Sequence, residues 1–190
     1  MLGFVDWGVL FTRYAPDMME RMAAGAIETT IRMFDQLREP LLRYLLSLRL
    51  AIPDAEEIVQ EVFLSLYQHL RQGKPESNLR GWTFTVAHNL GLKRRMSNQR
   101  RMAIFPNEPV DQAPDPEERF SNLQRQTRLQ AVMRALPEQD QCCLALRAEG
   151  LPYREIAAVL GISLGSVANS LERSLARLTR ADRRTYATRG

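Results

Sequence analysis

Two cysteines and two histidines in 190 residues leave little material for thiol or metal chemistry. The cysteines are neighbours, Cys142 and Cys143, and adjacent cysteines rarely close an unstrained disulfide. No CxxC pair or Cys/His ligand spacing occurs, so neither a metal site nor a cofactor is expected. Both thiols lie in an apolar run and read as buried core, which suits a reducing cytoplasm. His69 and His88 have no nucleophile motif or glycine-rich phosphate loop beside them. No catalytic residue is therefore expected, and the chain does not read as an enzyme. Long hydrophobic runs are missing too. The opening MLGFVDWGVLFTRY carries Asp6, lacks a positive leading segment and is too short to span a bilayer. It reads as an extra helix or a disordered leader, with Met18, Met19 and Met22 as alternative starts. Strand alternation and low-complexity tracts are absent as well.

What is present is helical and mildly basic. Hydrophobic residues make up 45% and charged residues 25%, ordinary for a folded chain, and the net charge is +4. That balance permits a nucleic-acid partner without demanding one. Composition shifts sharply at FPNEPVDQAPDPEE, Phe105 to Glu118, where four prolines and five acids replace core-forming residues. Proline removes backbone donors and favours extended chain, so this stretch reads as a linker. The expected organisation is all-α: an extension over 1–28, a helical domain over 29–102, a linker over 103–120, a second helical domain over 121–182 and a tail to 190.

In the first domain, Ile58, Val62, Leu66 and Leu70 recur every four positions, widened by Val59 and Phe63. Asp54 followed by Glu57 matches a capping box at the start of that helix. Ile31 to Leu50 reads as a preceding helix with a candidate interruption at Pro40. A helix from Leu79 to about Ser97 follows the loop of Gly73, Lys74, Pro75 and Asn78. Past the linker, helices are expected over Ser121–Ala135, Glu138–Glu149, Tyr153–Leu160 and Leu164 to about Asp182.

The stretch YREIAAVLGISLGSVANSLER, Tyr153 to Arg173, has the layout of a helix-turn-helix. With Tyr153 first, the fifth residue is Ala157, small enough for two helices to cross closely. The ninth is Gly161, which reaches a left-handed turn without a Cβ penalty. The fifteenth is Val167, a plug between the helices, and Ser163 is placed to cap the second helix. Val167, Leu171, Leu175 and Leu178 are expected to pack inward. Ser166, Asn169, Glu172, Arg173 and Ala176 then face outward, with Arg177 and Arg180 further along. Asparagine can pair with adenine and glutamate can accept from cytosine, while the arginines can hold phosphates. Glu172 and Arg173 are equally well read as an ordinary solvated face.

NLRGWTFTVAHNLGLKRRMSNQRR, Asn78 to Arg101, joins an aromatic-bearing helix to Lys93, Arg94, Arg95, Arg100 and Arg101. Clustered cations track phosphate and aromatic rings stack on unpaired bases. Trp82 is open to two readings, such a stack or core packing with Val86. The preceding helix, DAEEIVQEVFLSLYQHL, has the opposite charge. Its acidic shoulder of Asp54, Glu57, Gln60 and Glu61 is expected to point away from DNA and to dock a basic protein surface, or simply to be a solvated helix start.

These blocks resemble regions two and four of the extracytoplasmic-function sigma factors of bacterial RNA polymerase. The resemblance runs from about Thr29 to Arg180, with two motif blocks in the right order and a linker between them. It implies a dissociable subunit of core RNA polymerase that selects promoter DNA. It further implies that Asp54, Glu57, Gln60 and Glu61 bind polymerase. The −10 element would meet Lys74, Asn78, Arg80, Trp82, Asn89, Lys93, Arg94 and Arg95. The −35 element would meet Ser166, Asn169, Glu172, Arg173 and Arg177. An anti-sigma factor is a further expected partner, though no residue here identifies one; no membrane contact is expected. One departure stands out: many family members carry lysine and arginine immediately after the Val167 position, whereas this chain has Ala168, Asn169 and Ser170. A reader this poor in charge grips DNA weakly alone, and tethering by polymerase would compensate.

Other readings fit less of the chain. A regulator with a receiver domain needs alternating strands and helices before residue 100, and a helical nuclease needs convergent acids for metal ions. A polymerase-binding decoy would have no use for the basic cluster.

Overall fold

The computed structural model describes residues 7–104 and 131–187, with side-chain environments over 24–101 and 131–181. All regular structure among them is helical: α1 (Trp7–Ser47), α2 (Ile52–Arg71), α3 (Leu79–Ile104), α4 (Glu138–Ala148), α5 (Tyr153–Leu160) and α6 (Leu164–Ala187), plus a helical turn over 131–134. The expected linker from 105 on, and most of the helix expected over Ser121–Ala135, lie outside the described residues, while 103–104 belong to α3.

Helix α1 runs unbroken for 41 residues, so the interruption expected at Pro40 does not occur. Proline in a helix interior costs about 3 kcal/mol. Here the flanking turns are pinned, because Leu37, Leu41, Tyr44 and Leu45 are buried on both sides of it. The helix ends where Arg49 turns left-handed at φ 65°, its N–H bonded to the Leu46 carbonyl at 2.9 Å.

Helix α2 begins differently from expectation. Its N-cap is Ala51 with no side-chain bond, Pro53 occupies the first turn, and the Asp54/Glu57 capping box does not form. Both carboxylates turn to α3 instead, where arginine offers a charged partner. The expected apolar stripe does form: Ala55, Ile58, Val59, Val62, Phe63, Leu66 and Leu70 are all buried. Leu66 is fully enclosed, and truncating such a leucine to alanine costs roughly 2–5 kcal/mol. Gly73 at φ 65° closes the helix, bonding Leu70 O at 2.9 Å while Lys74 N reaches His69 O at 3.3 Å. This double bond pattern satisfies carbonyls that the helix end leaves open.

Asn78 starts α3. It adopts φ 57°, and its Oδ1 accepts from the Gly81 N–H at 3.0 Å. A Cβ on Gly81 would stand 2.5 Å from the Asn78 amide, so this cap requires the glycine. Gly91 lets the end of α1 approach, since a Cβ there would meet Leu48 at 3.0 Å and Leu45 at 3.1 Å.

Helices α1, α2 and α3 pack on one another, and α4, α5 and α6 form a second set. The two sets share one apolar core, because α5 packs on α3 and α4 on α1. Phe84 and Tyr44 join Cys142, Leu146 and Ile156 in a single buried cluster. Both cysteines are free and buried, as their apolar surroundings suggested.

Candidate nucleic-acid interface

Three faces of α3 serve three purposes, set by its rotation of about 100° per residue. Trp82, Val86, Asn89, Lys93, Met96 and Arg100 fall on one outward stripe. Asn89, Lys93, Met96 and Arg100 are exposed, and Trp82 and Val86 are half-buried. Trp82 rests on the His69 ring, centroids 4.7 Å apart, while His69 Nε2 bonds the Pro75 carbonyl at 3.0 Å. Trp82 is half-buried: one part packs on His69, and the rest borders solvent beside the loop that carries exposed Lys74.

Arg94 lies on a second face, toward α2. It donates to Asp54 at 2.6 Å and to Glu57 at 3.0 Å, and Asn98 adds a bond to Asp54 at 2.7 Å. The acidic shoulder, expected to face away from DNA, here meets the basic cluster of the same chain. At Asp54 and Glu57 the two adjoin, because Arg94 stands on the α2 side of its helix. Asp54 is mostly covered, whereas the Glu57 side chain is 63% exposed. Gln60 and Glu61 are open to solvent. Leu64, one turn on and 58% exposed, extends this edge with an apolar group that sequence periodicity did not single out.

The third face, opposite the open stripe, carries Arg80 and Arg95. Arg80 donates to the Glu149 backbone carbonyl and Arg95 pairs with Glu138. Beside them Tyr44 Oη and His88 Nδ1 are 2.7 Å apart and buried. Burial pushes His88 below its usual 6.5, the positive Arg95 nearby adds to that, and Glu138 opposes it. Burial also raises the Cys142 thiol to about 11, which keeps it protonated and unreactive.

Of the residues expected at the −10 element, Lys74, Asn78, Arg80, Asn89 and Lys93 are exposed, and Trp82, Arg94 and Arg95 are half-buried. Asn78 caps a helix, and Arg80, Arg94 and Arg95 are held by carboxylates or a carbonyl of the same chain.

The helix-turn-helix forms as its spacing indicated. Gly161 adopts φ 64°, Val167 is fully buried, and Ser163 Oγ accepts from the Ser166 N–H at 3.1 Å. One expectation fails. Leu175 is 55% exposed, and the buried row is Val167, Ser170, Leu171 and Ser174. Seven residues on from Val167, Ser174 lies about 20° off the inward direction, whereas Leu175 lies about 80° off. Two buried serines leave α4 room to come close, and Ser174 Oγ bonds the Ser170 carbonyl at 2.7 Å.

Asn169, Glu172, Arg173 and Arg177 are exposed along α6, and Ser166 is half-buried. Arg173 is nevertheless engaged, gripping the buried Asp140 carboxylate with two nitrogens at 2.7 and 3.2 Å. Desolvation would raise the Asp140 carboxyl, but bonds from Arg173 and Ser170 and the Arg173 charge hold it below 3.8.

Two family models match the chain in sequence order. Sigma-70 region 2 covers residues 33–101 and Sigma-70, region 4 covers residues 126–178. The chain belongs to the extracytoplasmic-function sigma factors. It is 32% identical over 126 residues to ECF RNA polymerase sigma factor SigE of Mycolicibacterium smegmatis, a match spanning 63% of this chain and 48% of that one. It is 29% identical to RNA polymerase sigma factor YlaC of Bacillus subtilis, across 75% of this chain and 85% of the relative. The chain thus spans about half the length of the SigE relative and most of YlaC. Among solved structures, sigma factor RpoE in complex with the anti-sigma factor NepR, from Bartonella quintana, shares the fold. Its TM-score is 0.64 at 21% identity, covering 81% of this chain and 96% of that one. CnrH, in complex with the cytosolic domain of CnrY, gives 0.58 at 20% identity, covering 85% and 92%.

Proposed function

We propose that this sigma factor family member joins core RNA polymerase, selects promoters and helps to open them. The observation that carries this reading is the open stripe of α3: a ring at Trp82, an amide at Asn89 and cations at Lys93 and Arg100 line one side of a buried-core helix. Such a rigid row suits a single strand, with the aromatic ring for a base and the cations for phosphates. Opening DNA this way breaks no covalent bond, so the chain acts without catalysis of its own.

Glu57, Gln60, Glu61 and exposed Leu64 form the docking edge for polymerase, mixed acidic and apolar as protein contacts commonly are. Ser166, Asn169, Glu172 and Arg177 read the upstream duplex from α6. Arg173 supports that helix from behind through Asp140. Since RpoE and CnrH have been seen bound to NepR and to CnrY, an anti-sigma factor is the natural third partner. The cytoplasm follows as the site of action from the polymerase partner; no helix among the described residues is long and apolar enough to cross a membrane.

The test is reconstitution. The chain, purified core polymerase and a fragmented genomic library are combined, and transcripts are sequenced. Starts that cluster at a shared upstream sequence and need both proteins support the reading. Binding to core without any transcript would instead make the chain a decoy.

A further inference from the structure

Where α4 crosses α6, the contact is polar at its centre. Ser170 and Ser174 of α6 are fully buried there, so little apolar volume wedges α6 against turning on its own axis. Directed bonds hold it instead. Gln139 Nε2 donates to Ser170 Oγ at 3.2 Å. Arg173 donates to the two oxygens of Asp140 at 2.7 and 3.2 Å, and that carboxylate is 1% exposed. Gln139 and Asp140 both lie in the first turn of α4. At about 100° per residue, Arg173 falls about 60° from Ser170 around α6, with Asn169 and Glu172 about 100° and 160° away on the same side. Both of these are exposed. Two anchors on α4 therefore fix where two outward side chains of α6 point.

We propose that Asp140, assisted by Gln139, is a positioning residue that sets base specificity: it locks the rotation of α6 and so decides which base edges Asn169 and Glu172 meet. The inference rests on the sigma-factor reading above and deepens it. Asp140 is enclosed within the second helical set and does not reach the duplex itself. Its leverage comes from geometry. Side-chain tips stand about 5–6 Å from a helix axis, so a turn of about 20° carries them about 2 Å. Hydrogen bonds to base edges tolerate only a few tenths of an ångström. A carboxylate gripped by two guanidinium nitrogens permits much less rotation than packed serines alone, because a paired fork holds direction as well as distance. Arg177 is exposed one turn beyond Arg173. A phosphate contact from its long side chain tolerates such a turn better than a base contact does, so loss of the lock blurs the reading more than it weakens the grip.

The experiment uses the full chain with core polymerase on a promoter from the reconstitution, every upstream and downstream base pair being varied in turn. Competing templates are transcribed together and the products sequenced, which gives a preference ratio at each position. Such ratios do not depend on the fraction of protein folded, so a merely stabilising role leaves them unmoved. Asn169→Ala and Glu172→Ala first mark the positions that α6 reads. Asp140→Ala is expected to lower the ratios at those same positions by at least roughly fivefold, the low end of what one good base contact discriminates. Ratios at the downstream element stay as in the native chain. Asp140→Asn, which keeps one oxygen for Arg173, loses less. A profile for Asp140→Ala that superimposes on the native one overturns the proposal, as does a loss spread evenly over both elements. If circular dichroism shows Asp140→Ala unfolded, Gln139→Ala carries the test, its side chain being exposed; its ratios should fall at least roughly twofold at the marked positions, and an unmoved profile overturns the proposal. Native transcripts with an unmoved variant profile reject only the positioning role, whereas absence of native transcripts rejects the sigma-factor reading.

Discussion

Arg173 grips Asp140 with two nitrogens, and this pair, rather than a DNA contact, is what the first arginine of α6 does in the free chain. The carboxylate is 1% exposed and the arginine 54% exposed, so the acid depends on its partner more than the reverse. Removing the arginine leaves a buried charge uncompensated, the costly way to break such a pair. Arg173→Ala is therefore expected to lower the melting temperature clearly, while the salt slope of duplex binding stays unchanged. Arg177→Ala is expected to do the opposite: little change in melting, and a slope shallower by about 0.9. Melting curves and salt titrations on a cognate promoter check both, and equal behaviour of the two variants would refute the distinction.

Acid should weaken the fold in two windows. His88 is held below 6.5, so the unfolded chain binds the proton first and stability falls as pH drops below 6.5. Asp140 is held below 3.8. Its contribution is present above that value and is lost as pH falls through the lower native value. Urea midpoints at pH 7.5 and 5.5 should differ for the native chain and differ less for His88→Gln. Identical shifts in both proteins would show that His88 is not responsible.

Arg49 holds a left-handed conformation that glycine reaches freely. Arg49→Gly should stabilise the chain by about 1 kcal/mol, a rise of roughly 2–4 °C in melting temperature. A drop would mean that the side chain, which reaches the Arg134 carbonyl at 3.5 Å, contributes more than the strain costs.

On the α2 edge, Glu57→Lys combined with Glu61→Lys should reduce affinity for core polymerase by tenfold or so, about 1.4 kcal/mol. Glu57→Lys also loses a bond from Arg94, so Glu61→Lys alone is the cleaner variant. Circular dichroism confirms folding, and unchanged core affinity would remove this edge from the interface.

Local signals in the sequence reached far. Four-residue recurrence located α2, and a small residue, a glycine and a valine at fixed offsets located the helix-turn-helix. These features depend on neighbours within a turn or two. What escaped depends on distance in sequence: the partners of Arg95, Arg80 and Arg43 lie 43, 69 and 106 positions away. A row of cations looks alike whether it faces solvent or carboxylates of the same chain. The Asp54/Glu57 box failed because the helix begins at Ile52 with Ala51 as its cap, which puts Asp54 inside the first turn, where it meets Arg94 instead. Leu175 failed differently, because counting in fours drifts 40° per step from the true helical period.

Strand opening at the promoter tests the account most directly. Permanganate, which oxidises unpaired thymines, is applied to a promoter recovered from the reconstitution. Reactive thymines should appear just upstream of the start only when core polymerase and this chain are both present, and should diminish with Trp82→Ala and Lys93→Ala. Promoter bound by the complex with every thymine protected would contradict the account.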